Sequence, residues 1–168
     1  RKGNNINGWI IIDKPAGITS TGVVSKIKRA FNAKKVGHAG TLDPEATGVL
    51  PIALGEATKT IPYIMDEIKS YHFCIKLGES TDTDDATGQI INKSSKRPSD
   101  DKISTLLQKY IGFIEQTPPN YSAIKVNGVR AYDLARSGTQ LKLKSRSLFV
   151  KDLKFLERID DDNALLQL

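Results

Sequence analysis

Short apolar runs, each closed by glycine, proline or polar turn residues, constrain the fold of this chain more than any other feature. Residues 8–13 (GWIIID) are rich in β-formers and lead into a turn at residues 14–17. Apolar residues at helical spacing then predict two amphipathic helices, the first capped by Thr19 or Ser20 and the second stopping at Gly112. Their apolar stripes comprise Val23, Val24, Ile27, Ala30 and Phe31 in the first helix and Ile103, Leu106, Leu107, Tyr110 and Ile111 in the second.

The second half of the chain predicts mainly strands and turns. Residues 71–77 and 147–157 have the composition of strands, and residues 81–88 (TDTDDATG) that of an acidic loop. Residues 121–126 are expected to be extended before a hairpin-type turn at Asn127 and Gly128. Strands and helices on one chain without internal repeats or linkers indicate the α+β class.

Composition excludes several classes of protein. With 39% hydrophobic and 26% charged residues and no low-complexity tract, the chain is neither disordered nor collagenous. Its apolar runs, such as residues 9–12, are too short to span a bilayer. One cysteine and two histidines permit no internal disulfide and no multi-residue zinc centre. We therefore expect a soluble, cytoplasmic protein.

Positive charge is concentrated near the N-terminus. The formal net charge is +6, and residues 1–40 contain eight lysines and arginines but a single acid, Asp13. Several of these bases fall on or just after the first predicted helix: Lys26, Lys28, Arg29, Lys34 and Lys35. Such a basic block indicates a polyanion-binding face. A solvated helix face next to a frayed tail would give the same pattern.

The segment best suited to chemistry is residues 37–48, GHAGTLDPEATG, within a stretch (36–55) that is rich in glycine and turn formers. Its glycines permit close backbone approach, and Pro44 biases Asp43 away from helical geometry. Asp43 can therefore lie at the end of a rigid loop, with its carboxylate free to act as a nucleophile or a general acid or base. The alternative is structural, because Asp43, Pro44 and Glu45 also form a good helix start with Asp43 as N-cap.

Other site patterns are weaker. The segment lacks the Gly-Lys-Ser/Thr ending of a phosphate-binding P-loop, and no Ser-His-Asp set has a recognisable context. Gly37 and Gly40, which follow a basic helix, match the spacing of a KH-type loop that clamps RNA between two helices. This match provides a non-catalytic alternative, an RNA-binding module.

Several motifs, in order along the chain, resemble the TruB family in its bacterial form. They begin with residues 7–20 (NGWIIIDKPAGITS), continue through 37–48 into 50–59 (LPIALGEATK), and include Tyr71. Residues 81–88 and 118–125 (PPNYSAIK) extend the match, which runs from about residue 6 to the last residue. TruB enzymes are tRNA pseudouridine synthases, so the resemblance implies their fold, a mixed and mostly antiparallel sheet flanked by helices.

The resemblance also implies a cofactor-free isomerisation of uridine 55 in the tRNA T-loop. The N1–C1′ bond breaks, the flipped base turns, and C5 joins C1′. Asp43 matches the essential aspartate, Tyr71 the tyrosine that stacks on the flipped uracil, and His38 a histidine that fills the vacated stack. Asp85 matches an acidic position near the bound nucleotide. Lys14 matches a motif beside the catalytic loop and is included among the substrate-binding residues, although a structural role is favoured over contact with RNA.

For partners, the resemblance implies the T-arm of tRNA, with no membrane, no obligate protein partner and a monomeric state. Phosphate contacts are expected from six bases: Lys26, Arg29, Lys34, Lys35, Lys125 and Arg130. The last two fall in a family insertion, at about residues 121–144, that closes over the RNA and is expected to be mobile without it.

The chain departs from the family pattern in one respect. TruB enzymes have a later motif that supplies an arginine partner for the catalytic aspartate and a second active-site tyrosine, followed by a small RNA-binding domain. These parts are absent from the 168 residues. We therefore expect residues 1–168 to be a partial catalytic domain, whose incompleteness could leave it inactive.

Overall fold

The computed structural model describes residues 3–118, 125–126, 128–130 and 143–168. They belong to two compact units, unit 1 (Arg1–Lys69) and unit 2 (Ser70–Leu168). Both units combine helices with antiparallel strands, which confirms the α+β class. Within the described ranges, no helix is long and apolar enough to cross a membrane.

Unit 1 contains a three-stranded antiparallel sheet with one long helix against it. Its elements are β1 (Gly8–Lys14), α1 (Ser20–Ala30), β2 (Val36–His38), β3 (Gly48–Leu54), a 3₁₀ helix (Gly55–Thr60) and α2 (Ile61–Met65). The strand order is β1-β3-β2, and β1 pairs with β3 along its whole length, from Gly8 opposite Leu54 to Lys14 opposite Gly48. Val23 of α1 packs with Leu50 and Ile52 of β3 to form the buried centre of this unit.

Helix α1 begins where the sequence predicts. Thr19 is the N-cap, and its hydroxyl oxygen accepts a hydrogen bond from the Gly22 amide at 2.9 Å. Val23 is buried, but Ala30 and Phe31 at the end of the predicted stripe are exposed. The stripe therefore faces the sheet only over the first two turns of the helix.

Strand β3 lies within residues 36–55, the stretch rich in glycine and turn formers, where the sequence analysis predicts no strand. It lies at the centre of the sheet despite containing Pro51, which cannot donate a ladder hydrogen bond. The sheet tolerates this proline because β2 is short and pairs only with the end of β3, from His38 opposite Ile52 to Val36 opposite Leu54. The Pro51 carbonyl still accepts from the Ala39 amide at 2.9 Å, just beyond the ladder.

Unit 2 contains short antiparallel ladders and one helix. Its elements are β4 (His72–Lys76), β5 (Glu79–Thr81), β6 (Ile90–Lys93), α3 (Asp100–Leu107), a 3₁₀ helix (Gln108–Tyr110), β7 (Gly112–Gln116), β8 (Lys125–Val126), β9 (Val129–Arg130), β10 (Arg146–Val150), β11 (Lys154–Arg158) and β12 (Asn163–Gln167). The ladders have the orders β11-β12-β4, β10-β7, β5-β6 and β8-β9. Buried residues of α3, β12 and the chain before β11 form its core: Ile103, Leu107, Leu153, Ala164 and Leu166.

Three predictions for this unit have different outcomes. The prediction of a single strand at residues 147–157 is wrong. Buried Leu153 separates β10 from β11, and the two strands lie in different sheets. The hairpin around Gly128 is confirmed by the pairing of β8 with β9, while residues 121–124 lie outside the described part of the chain. Of the second helical stripe, Ile103 and Leu107 are buried but Leu106 is 48% exposed.

Candidate active site

Asp43 lies on the loop between β2 and β3, in a tight turn rather than at a helix start. The Ala46 amide donates to the Asp43 carbonyl at 3.1 Å, with Pro44 at the second position of the turn. No helix begins here, so the N-cap interpretation of Asp43 is wrong. The side chain is exposed, and among the described residues its carboxylate has no hydrogen-bond or ion-pair partner.

The residue before Asp43 is held by a buried hydroxyl. Ser20, at the start of α1, is 3% exposed. Its Oγ donates to the Leu42 carbonyl and accepts from the Leu42 amide, both at 3.0 Å. One side chain therefore satisfies both backbone polar groups of Leu42 and fixes the loop to the helix.

The residue after Asp43 is held by the turn between β1 and α1. The Pro44 carbonyl accepts from the Gly17 amide at 2.8 Å and from the Lys14 ammonium at 3.0 Å. The same ammonium donates to the carbonyls of Pro15 at 2.9 Å and Ile18 at 2.8 Å. Asp43 is thus anchored on both sides while its own side chain is left unengaged.

Lys14 is fully buried, with 0% of its surface exposed. Its three N–H donors are all used by backbone carbonyls, which satisfies the ammonium inside the protein. This geometry corrects the inclusion of Lys14 among the substrate-binding residues. It favours the structural role and argues against direct contact between Lys14 and RNA.

His38 ends β2, on the approach to the Asp43 loop. Its Nδ1–H donates to the Gly40 carbonyl, which orients the half-exposed ring and leaves Nε2 for another partner. Gly40 has a φ of +118°, a conformation that side chains strongly disfavour. Gly37 lies within strand β2 and not in a loop between helices, so the KH-type interpretation is wrong.

Tyr71 and Asp85 belong to unit 2. Tyr71 immediately precedes β4, where its backbone exchanges two 2.9 Å hydrogen bonds with Leu168, and its side chain is 45% exposed. Asp85 orders its own loop, since its Oδ1 accepts from the Thr87 hydroxyl and amide and from the Thr83 hydroxyl. These hydrogen bonds, the Thr87 hydroxyl first, lower the pKa of Asp85.

The basic residues of unit 1 form an exposed surface. Lys26 and Arg29 lie on the solvent face of α1, and Lys34 and Lys35 lie in the connection to β2. Among the described residues, these four side chains form no ion pair with an acid. The side chains of Lys125 and Arg130 lie outside the described part of the structure, so their expected contact with RNA stays a prediction.

Comparison with known proteins shows which family this arrangement belongs to. The model of the TruB family pseudouridylate synthase N-terminal domain matches residues 28–168. The chain belongs to the TruB family. It is 55% identical over all 168 residues to a tRNA pseudouridine synthase B of Ruegeria sp. strain TM1040 and covers 56% of that protein. Over the same span it is 53% identical to the tRNA pseudouridine synthase B of Caulobacter sp. strain K31 and covers 54% of it.

Solved structures agree with the TruB family assignment. A chain of a Cbf5–Nop10–Gar1 complex superposes with a TM-score of 0.68 at 29% identity, covering 97% of this chain and 39% of that one. An H/ACA ribonucleoprotein bound to a substrate RNA containing 2′-deoxyuridine gives a TM-score of 0.65 at 28% identity, covering 95% and 36%. The present chain spans about half the length of the curated relatives that it matches.

The geometry around Asp43 suits a carboxylate that takes part in a reaction. The side chain is exposed, and the loop that carries it is fixed at both neighbours. Holding a reacting group in place in advance is worth several kcal/mol of barrier, on the order of 7–11 in the best cases. Across the described ranges, no group of three or more His, Cys, Asp or Glu side chains is arranged to hold a metal ion.

Proposed function

We propose that this chain carries the catalytic aspartate of a tRNA pseudouridine synthase that acts on uridine 55 of the T-loop. The observation that carries the proposal is the exposed, unengaged Asp43 carboxylate on a loop anchored by Ser20 and Lys14. The relatives named tRNA pseudouridine synthase B support the same reaction. We place the enzyme in the cytoplasm as a monomer whose partner is the T-arm.

In this reaction, Asp43 is the carboxylate that starts the exchange of bonds. The N1–C1′ bond breaks, the uracil turns, and C5 bonds to C1′. The hydrogen on C5 then passes to solvent and N1 gains a proton, so the base is conserved as an isomer and no co-reactant is consumed. The carboxylate is regenerated at the end of each turnover.

The target uridine must leave its stack before Asp43 can reach it, which costs a few kcal/mol. We assign Tyr71 as the stacking surface for the flipped base, since its ring is 45% exposed and one stacked base is worth about 1–3 kcal/mol. His38 would occupy the vacated position in the RNA stack. Asp85 would lie near the bound nucleotide, with its loop already ordered by Thr83 and Thr87.

RNA affinity would come from the bases on and after α1. Lys26, Arg29, Lys34 and Lys35 are exposed and free to bind phosphates, so binding should weaken steeply with salt. Lys125 and Arg130 would add contacts from an insertion at about residues 121–144 that closes over the RNA. We further propose that residues 1–168 form part of the catalytic domain and that an arginine from outside them pairs with Asp43.

The proposal is tested by tritium release from a T-arm stem-loop labelled at C5 of the T-loop uridine. This chain is compared with a version extended to the length of its relatives, and a stem-loop labelled at a stem uridine serves as the control. Release from the T-loop label alone is expected with the extended version. No release from either version, while both still bind the RNA, would replace the enzyme with a non-catalytic RNA-binding protein.

A further inference from the structure

Unit 1 contains a polar groove away from the Asp43 loop. Its volume is about 390 Å³. The segment before β1, the connection after α1 and the junction after β3 contribute its lining: Asn4, Asn5, Asn7, Lys34, Lys35, Gly55 and Glu56. Among the described residues, the polar side chains of the lining are three amides, two lysines and one carboxylate.

Backbone contacts fix two walls of the groove against each other. The backbone N–H of Asn4 donates to the backbone carbonyl of Asn32 at 2.6 Å, and the backbone N–H of Lys34 donates to the backbone carbonyl of Asn4 at 3.0 Å. The N-terminal segment is thereby tied to the chain that leaves α1. Since Lys34 and Lys35 are consecutive, the same contacts fix the backbone positions from which both lysine side chains extend.

The third wall depends on Gly55. The Asn7 side-chain oxygen accepts from the Glu56 amide at 2.8 Å. Gly55 has a φ of +55°, and a Cβ there would lie 2.1 Å from that oxygen, so only glycine fits. Because the Asn7 oxygen is engaged, its NH₂ group is the part available to a ligand. The groove therefore presents the Asn7 NH₂ group in a fixed position, whereas the Asn4 side-chain NH₂ already donates to the Phe31 carbonyl at 3.2 Å.

The electrostatics of the groove favour an anion. Glu56, the only acid among the described lining residues, is ion-paired with Lys59 outside the lining. That hydrogen bond, with a smaller contribution from Lys35, lowers the pKa of Glu56 and keeps it charged. Lys34 and Lys35 add two positive charges, with no ion pair among the described residues. Lysines beside amide donors are suited to phosphate and sugar oxygens.

We propose that this groove binds the sugar–phosphate backbone of the RNA stem, away from the reacting nucleotide. This inference rests on the proposed function. The groove lies at the end of β3, where Gly55 follows Leu54, whereas the Asp43 loop enters β3 at Gly48. Seven strand residues span about 20 Å. At about 3.4 Å per nucleotide along a duplex strand, this distance corresponds to about six nucleotides.

Two substitutions and a matched control test the groove in the version extended to the length of the relatives. Lys35→Glu reverses one charge, and Asn5→Asp adds a negative charge at an exposed, nearly isosteric side chain. Lys102→Glu makes the same charge reversal on exposed α3 of unit 2. Each variant is titrated, over a range of salt, with a stem-loop and with the loop sequence lacking its stem. Pseudouridine formation is measured in parallel.

We expect Lys35→Glu to weaken stem-loop binding about tenfold at low salt and to lower the slope of log affinity against log salt by about one. Asn5→Asp should weaken it by several-fold. Binding of the stemless loop should change less than twofold for both variants. Glu56→Gln should strengthen stem-loop binding, a direction that damage to the fold would not produce.

Two failures are distinguishable. If the wild type forms pseudouridine but both groove variants bind the stem-loop as Lys102→Glu does, the groove proposal is refuted and the enzyme remains. Equal weakening of stem-loop and stemless RNA would also refute it, because the groove would then contact the loop. If the wild type forms no pseudouridine, the proposed function fails, and the stem-loop titrations still decide whether the groove binds the RNA stem.

Discussion

Replacing Lys14 with methionine should destabilise unit 1 by about 2–4 kcal/mol. The substitution keeps a long, unbranched side chain but removes the ammonium that donates to the carbonyls of Pro15, Ile18 and Pro44. Pro44 retains the Gly17 amide as a donor, so two carbonyls lose their charged partner. Each such loss costs about 1–3 kcal/mol, so the two together cost about 2–6 kcal/mol. Relief from burying a cation offsets part of this cost and leaves a net loss of about 2–4 kcal/mol.

Urea unfolding of Lys14→Met beside Lys26→Met measures this effect. Lys26 is an exposed lysine on α1, so its replacement should change stability by no more than about 0.5 kcal/mol. With a denaturant slope of about 1–3 kcal/mol per molar, the Lys14 variant should unfold at a midpoint lower by roughly 1–2 M. Equal stability of the two variants would refute the predicted destabilisation, and loss of RNA binding by a stable Lys14→Met would show that Lys14 contacts RNA.

Three further substitutions test the contacts and backbone geometry that order the Asp43 loop and the Asp85 loop. Ser20→Ala removes both hydrogen bonds to Leu42 and should cost about 1–3 kcal/mol in urea unfolding, with slower product formation but unchanged RNA affinity. Gly40→Ala meets no atom within 4 Å but must adopt a φ of +118°, so its cost in the same unfolding measurement should be about 1–3 kcal/mol of backbone strain alone. Hydrogen bonds lower the pKa of Asp85, so its contribution to loop order is present at neutral pH and is lost as pH falls through that lowered pKa. NMR shifts of the loop should show this acid transition in the wild type and not in Asp85→Ala.

Much of the fold could be predicted from local sequence, but β3 could not. The Thr19 cap and strand β1 follow from residue type and spacing within a few positions. Strand β3 lies in a stretch rich in glycine and turn formers, where no strand is predicted, and its pairing with β1 and β2 makes it one. Pro51 is tolerated because β2 is short and its pairing with β3 stops at Ile52, which is a property of the assembled sheet.

The candidate site likewise combines features that local sequence predicts with contacts that only the folded chain creates. Asp43 could be singled out from the glycines and proline around it, but local sequence alone does not distinguish a helix N-cap from the turn that the structure shows. Ser20 was predicted only as a possible helix cap. Its pairing with Leu42, 22 residues away, has no local signal in one sequence. The carbonyl contacts of Lys14 likewise depend on a turn and a loop that meet only in the folded unit.

The central claim, that the Asp43 carboxylate performs the isomerisation, is tested most directly by comparing Asp43→Asn with Glu45→Gln. Both exchange an exposed carboxylate for an amide within the same turn. Single-turnover pseudouridine formation and stem-loop affinity are measured on the same samples of the extended version. We predict that Asp43→Asn forms no detectable product while binding RNA within about twofold of wild type, and that Glu45→Gln remains active. Product formation by Asp43→Asn at the rate of Glu45→Gln would contradict the assignment.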